Sequence, residues 1–224
     1  MSEAMKAVVG ALTPSLRQAG FRKRRHSFNR GTAHGMVQVV SFQMGPYDPP
    51  GTEEIPGLRP NLYGLFAVNL GVYVPQMGDE PKRERNWVNE YDCHLRKRLG
   101  ELVPPGHHDL WWSLDEPEVA APDVKAALAE HGLPWLEGLS SRESVLDGFY
   151  LLGSEALGMA PRARIDIARL HLAMGDEAAA DRELTLHWND ELAPSHRDYF
   201  LGVLKELGRT YVIDGDGTTR DLIR

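Results

Sequence analysis

The sequence has a single cysteine, Cys93, among its 224 residues. One cysteine cannot form an intramolecular disulfide, and it excludes cysteine-rich zinc and iron–sulfur sites. A chain of this length can bury a hydrophobic core without such cross-links. We therefore expect a protein of a reducing compartment and predict a cytoplasmic location.

Long hydrophobic runs are also absent, since no stretch approaches the roughly 20 apolar residues that a membrane-spanning helix requires. The first 18 residues, MSEAMKAVVGALTPSLRQ, lack the basic start and long apolar centre of a secretory signal. Their apolar residues recur at helical spacing, which predicts an amphipathic helix over residues 3–19. Pro14 predicts either a kink or a second helix start. We expect neither secretion nor membrane contact.

Motifs for nucleotide binding and covalent catalysis are missing. The sequence has no P-loop, no G-x-G-x-x-G fingerprint and no G-x-S-x-G elbow. Residues 211–218 (YVIDGDGT) resemble the first motif of haloacid-dehalogenase-type phosphatases, but the six residues that follow cannot supply the rest of such a site. They are also too few to complete a calcium-binding loop. We interpret this stretch as an exposed polar turn.

The nine histidines do not form a metal-binding pattern. His107 and His108 precede Asp109, but adjacent side chains point apart on a strand. Neither an HExxH motif nor a histidine pair four residues apart on a helix is present. We predict no metal, no cofactor and no catalytic residue, and we do not expect an enzyme. A Ser–His–Asp triad stays open, because such triads are assembled in space.

The net charge of −7 is unevenly distributed along the sequence. Residues 1–45 carry +6 and the remainder carries −13. The negative net charge of the whole chain argues against nucleic-acid binding. The basic run at residues 22–25 (Arg-Lys-Arg-Arg) could nevertheless follow a phosphate backbone. We favour a solvated turn for this run.

Residues 26–29, 35–44 and 62–74 are rich in Val, Phe and Tyr and are separated by turn residues, which predicts antiparallel strands. Between the last two, residues 45–60 hold five prolines and are expected to form a loop over the sheet edge. Residues 93–103 fit either a strand or a helix, and we favour the strand. Residues 111–114 (WWSL) predict another short strand.

After Pro122 the apolar spacing becomes helical. The predicted helices cover residues 124–130, 141–152, 162–174, 177–188 and 194–207. Residues 168–184, with small side chains at Ala168 and Ala180, resemble one tetratricopeptide unit, but a solenoid needs about three repeats. An ordinary antiparallel helix pair is therefore expected.

These patterns together predict an α+β fold: an N-terminal helix on an antiparallel sheet of four to five strands, then an α-helical C-terminal region. We expect a sheet domain over residues 1–120, a helical region packed on it over residues 121–208, and a tail over residues 209–224.

Polar residues inside the apolar strands mark a candidate binding site. Gln43 and Asn69 interrupt apolar runs, and a buried amide costs a few kcal/mol unless it is hydrogen-bonded. Arg96 and Arg98 share one strand face and would suit an anionic ligand. The alternatives are an internal hydrogen bond for the amides and the chain's own carboxylates for the arginines. Trp111 is either an interface anchor or a core residue.

Six landmarks, read in order, resemble a known family. They are residues 16–21 (LRQAGF), 28–30 (FNR), 37–43 (VQVVSFQ), 68–73 (VNLGVY), 93–100 (CHLRKRLG) and 109–112 (DLWW). Their order resembles the bacterial domain-of-unknown-function family 4304 over residues 5–140. The resemblance implies a bacterial origin and a fold boundary but no activity. Gln43, Asn69, Arg96, Arg98 and Trp111 fall on recurring positions of the family.

Three functions remain open at this point. We expect a non-enzymatic protein-interaction module of an accessory or immunity-like kind, with another protein as its partner. The alternative is an enzyme or a binder of a small anionic ligand that uses a sheet groove lined by Gln43, Asn69, Arg96 and Arg98. Nucleic-acid binding through residues 22–25 is the least expected.

Overall fold

The computed structural model describes residues 2–47, 55, 61–78, 87–104, 109–189, 194–213 and 219–223. The chain divides into two compact units, of which the first comprises Met1–Pro75 and Glu80–Ala160 and the second comprises Gln76–Asp79 and Pro161–Arg224. Helices up to residue 152 therefore belong to the unit that contains the sheet. The finer predicted division, 1–120, 121–208 and 209–224, stays a prediction.

Helix α1 spans Glu3–Gln18 and begins at Ser2, whose side chain accepts a hydrogen bond from the Met5 amide at 3.2 Å. Its buried residues lie one turn apart on a single stripe: Met5, Val8, Val9, Leu12 and Leu16. The helix continues through Pro14, so the second start considered from the sequence does not form. Gly20, at a φ of +88°, turns the chain into the sheet.

Six antiparallel strands form the sheet: β1 Arg22–Arg24, β2 Ser27–Gly31, β3 Val37–Met44, β4 Leu65–Tyr73, β5 Leu95–Arg98 and β6 Trp112–Ser113. Their order is β1-β2-β3-β4-β5, and β6 pairs with β4. The predicted antiparallel sheet is confirmed, with six strands in the described part of the chain rather than four to five. Residues 93–103 satisfy both alternatives, because β5 leads directly into the short helix α2, Leu99–Leu102.

The two faces of this sheet differ in composition. Alternate residues of β2, β3 and β4 form the helix face, which is fully buried and includes Phe28, Val40, Phe42, Phe66, Val68, Leu70 and Val72. Gln38 also lies there, and its amide donates a hydrogen bond to the carbonyl of Leu136. Residues of the opposite parity form the groove face, which carries most of the polar side chains.

Among its described residues, the first unit has three further helices: α3 Pro117–Ala127, α4 Leu133–Glu137 and α5 Arg142–Leu152. A π-helical turn, Leu128–Gly132, joins α3 to α4. α3 begins at Pro117, well before the predicted start at residue 124, because proline is well suited to the first turn of a helix. Leu136 is fully buried in α4.

The second unit consists of helices α6 Ala163–Met174, α7 Glu177–Asn189 and α8 Pro194–Glu206, and of strands β7 Thr210–Ile213 and β8 Thr219–Ile223. α6 and α7 form the predicted helical hairpin, and Ala168 and Ala180 are both buried in its core. The two strands pair antiparallel and were not predicted. The polar turn predicted over residues 211–218 is wrong for residues 211–213, which belong to β7. Its residues 214–218 and the pair His107 and His108 lie outside the described residues.

The mixed α+β class is therefore confirmed, with an N-terminal helix on an antiparallel sheet and a helical C-terminal region. Within the described part of the chain, no helix combines the length and the apolar character that crossing a membrane would require.

Candidate functional site

A polar row crosses the groove face over five strands. Arg24 pairs with Ser27, Ser27 with Ser41, Ser41 with Asn69, and Asn69 with Arg98. Directly paired residues of antiparallel strands project from the same face of a sheet. With a strand spacing of about 4.8 Å, the row is about 19 Å long.

The structure brings the residues predicted from the sequence together. Gln43, Asn69, Arg96 and Arg98 line one pocket of about 200 Å³. Trp111 joins them, because the guanidinium carbon of Arg98 lies 4.8 Å from the centre of its ring. Their proximity was inferred from the two-residue period of the strands, whereas their role in binding stays a prediction.

The two amides bond to each other. Asn69 Nδ2 donates to Gln43 Oε1 at 2.8 Å, so the internal hydrogen bond considered from the sequence is present. Asn69 is 8% exposed and Gln43 is exposed. An amide side chain has both a carbonyl and an NH₂ group, so among the described residues this bond leaves Asn69 Oδ1 and Gln43 Nε2 available to a ligand.

Both arginines are already paired with carboxylates of the chain. Arg96 Nε donates to Glu90 Oε1 at 2.6 Å, and this hydrogen bond raises the pKa of Arg96 against the opposing effect of burial. Arg98 Nη1 lies 3.2 Å from Asp109 Oδ1, without the alignment of a hydrogen bond. An anion that binds at either arginine must therefore compete with Glu90 or Asp109.

A larger cavity of about 720 Å³ adjoins this pocket and shares Gln43, Asn69 and Glu90 with it. Its apolar walls include Met5 of α1 and Phe42 and Met44 of β3. Phe42 and Met44 have the parity of the helix face, so the cavity is not confined to the groove face. The remaining lining residues are polar or aromatic: Arg25, His26, Ser27, Ser41, Asn89 and Tyr91. We call the cavity and the pocket together the groove. Apolar walls with a few polar groups are typical of small-molecule sites.

The wall of the groove is held in place by Asn29. Asn29 Nδ2 donates to the Val88 carbonyl at 3.0 Å, and Asn29 Oδ1 accepts from the Val88 amide at 2.8 Å. Val88 and Cys93 pack on Val39. These contacts fix the start and end of residues 88–93, whose Glu90 and Tyr91 line the cavity, so this wall is held by contacts within the chain.

His26, Ser27 and Ser41 were not predicted as site residues, and Arg25 was considered only as part of the basic run at residues 22–25. Two signals could have found them. Ser27 and Ser41 precede the buried Phe28 and Phe42, which places serine on the opposite face of each strand. The second signal is an Arg-His pair at a tight turn, where glycine or asparagine is usual.

Trp112, the neighbour of Trp111, has a structural role. Its side chain is 6% exposed, and its indole nitrogen donates to Asp123 Oδ2 at 2.6 Å. Among the residues of known placement, no three His, Cys, Asp or Glu side chains form a cluster that could hold a metal ion.

Comparison with known proteins identifies one family. Residues 59–138 match the model described as domain of unknown function (DUF4304). This match confirms the resemblance noted from the sequence, over a shorter span, and it includes Asn69, Arg96, Arg98 and Trp111. No curated protein and no solved structure matches the chain.

Proposed function

We propose the function from the groove itself, because residues 59–138 match DUF4304, whose description names no function: a non-enzymatic module that binds a small ligand in the groove. The observation that carries this proposal is the cavity of about 720 Å³. Ligand sites of about 300–1,000 Å³ with mostly apolar walls can bury most of a small molecule.

The polar groups of the cavity support binding of a partly polar ligand. Ser41 lies at the centre of the sheet, and the open groups of Gln43 and Asn69 can pair with an amide or a hydroxyl. The hydroxyl of Ser27 forms no hydrogen bond with a base among the described residues. A serine without a partner base is a poor nucleophile, which favours binding over covalent catalysis.

An NMR titration of the ¹⁵N-labelled full chain tests the proposal. We expect a panel of small amide and carboxylate fragments to give saturable shifts of the side-chain NH₂ signals of Gln43 and Asn69. Ser41→Phe should abolish these shifts, because the ring would fill the cavity, whereas the matched control Ser41→Ala should keep them. Shifts that persist in Ser41→Phe, or none at either amide, would contradict the proposal.

A segment of a partner protein is the second candidate for the groove. The length of the polar row, about 19 Å, favours it, because an extended peptide of about six residues spans that distance. This candidate retains the protein partner expected from the sequence. Acidic hexapeptides should then shift signals from Arg24 to Arg98, whereas a single amino-acid derivative should shift only the cavity residues. If the hexapeptides and the amino-acid derivative shifted the same set of signals, a partner segment would be ruled out as the ligand of the groove.

A further inference from the structure

The hairpin between β1 and β2 has an unusual turn. Arg24 pairs with Ser27, so the loop consists of Arg25 and His26 alone. Arg25 has a φ of 56°, in the left-handed region that two-residue hairpins require. Glycine, asparagine and aspartate usually occupy this position, because a larger side chain there strains the backbone. Such strain is often retained where the side chain has a function.

The turn forms one end of the cavity. Arg25, His26 and Ser27 all line it, and Arg25 and His26 are exposed at its mouth. The hydroxyl oxygen of Ser27 is buried and has no hydrogen-bond partner among the described residues. Buried polar groups nearly always have a partner, so this hydroxyl is a candidate hydrogen-bonding group at this end of the cavity.

The cations of the groove differ in their partners. Arg96 and Arg98 are paired with Glu90 and Asp109. For Arg25, by contrast, no carboxylate lies within ion-pair distance in the described part of the chain. An anion at Arg25 gains a charge-assisted hydrogen bond without displacing an existing pair.

We propose that Arg25, His26 and Ser27 form an oxyanion subsite, and that the ligand carries a carboxylate or a phosphate which binds there. This inference rests on the proposed function, and it moves the anion from Arg96 and Arg98 to the opposite end of the groove. Arg25 donates N–H groups to the anion, and His26 lies at the mouth. The Ser27 hydroxyl donates a further hydrogen bond after its side chain rotates toward the cavity. The rest of the ligand extends toward Ser41 and the amides.

Four probes applied to the full chain test the subsite by NMR titration. N-acetylglycine carries a carboxylate, N-acetylglycinamide is its neutral counterpart, and inorganic phosphate and glycerol phosphate supply the second oxyanion. We expect N-acetylglycine or the phosphates to bind at least tenfold more tightly than N-acetylglycinamide. The comparison between the carboxylate and the phosphates identifies which anion the subsite prefers.

Two variants locate the subsite. Arg25→Gly keeps the turn, because glycine adopts a positive φ without strain, and it should weaken anion binding at least tenfold. Arg25→Lys should keep part of the affinity. Arg22→Ala is the matched control: Arg22 lies on β1 and is exposed, but it does not line the cavity. We expect this control to leave the affinity unchanged.

Equal weakening by Arg25→Gly and Arg22→Ala would indicate diffuse attraction to the basic run and would overturn the subsite. Equal affinity for N-acetylglycine and N-acetylglycinamide, with shifts at Gln43 and Asn69, would also overturn it but would leave the proposed function intact. Absence of shifts at both amides with every probe would instead contradict the proposed function.

Discussion

The two faces of the sheet are built from the same strands but carry different chemistry. On the helix face, Phe28, Phe42 and Phe66 are at most 1% exposed. Their sequence neighbours on the groove face include Ser27, Ser41 and Gln43, which line an open cavity. Apolar burial is the main stabilising contribution to folding. The helix face therefore determines most of the stability, and the groove face is free to hold polar side chains for binding.

The largest effect is expected on the helix face. Phe66→Ala should destabilise the first unit by about 3–5 kcal/mol, because it leaves a cavity where the ring packs on Phe42 and Trp112. Urea unfolding measures the change. Tyr63→Ala, at a residue that is 58% exposed, is the control and should cost less than about 1 kcal/mol. If Phe66→Ala lowered the free energy of unfolding by less than about 1 kcal/mol, the helix face would not contribute more to stability than the groove face.

Asn29 lies on the groove face, but unlike the binding residues proposed there it has a structural role. Asn29→Ala removes two buried hydrogen bonds to Val88 and should cost about 2–4 kcal/mol. Amide hydrogen exchange of residues 88–93 should become faster. Asn89→Ala, one residue along the same wall and exposed, should cost less than about 1 kcal/mol. Unchanged exchange in Asn29→Ala would contradict the role of Asn29 in holding the wall.

Asn69 should have an intermediate effect. Its only hydrogen bond to a described side chain goes to Gln43, which is exposed and can bond to water after the substitution. Asn69→Ala should therefore cost about 1 kcal/mol while weakening fragment binding. Gln43→Ala should lower the free energy of unfolding by less than Asn69→Ala does. If Asn69→Ala destabilised the protein as strongly as Phe66→Ala, the groove face would have to be regarded as a second core.

The smallest effect on stability is expected at Arg98. Its pair with Asp109 is partly exposed, so Arg98→Ala should change stability by less than about 1 kcal/mol. A double-mutant cycle with Asp109→Asn isolates the ion pair, and a second cycle with Trp111→Leu isolates the stacking contact, worth about 0.5–1 kcal/mol. A coupling energy above about 2 kcal/mol in either cycle would assign Arg98 to the folding core instead of the groove.

The strands β3 and β4 could be predicted from their content of Val, Phe and Tyr. The two-residue period of a strand then placed Gln43, Asn69, Arg96 and Arg98 on shared faces. Strand β1 could not be predicted, because its three residues are all basic and exposed and carry no alternation. The strands β7 and β8 were missed as well.

The groove was only partly predictable, because strand register is a property of the folded sheet. The sequence shows that Gln43 and Asn69 are polar residues in apolar strands, but not that Ser27, Ser41 and Asn69 are aligned. The cavity also depends on Asn29 holding the distant Val88 across 59 positions of the chain. Such long-range contacts leave no local sequence pattern.

A crystal structure of the full chain with N-acetylglycine tests the central claim most directly. The account predicts the ligand in the cavity, with its carboxylate within hydrogen-bond distance of Arg25 and Ser27 Oγ and its amide beside Asn69 and Gln43. Density for the ligand outside the groove, or a cavity filled by the chain's own side chains, would contradict it.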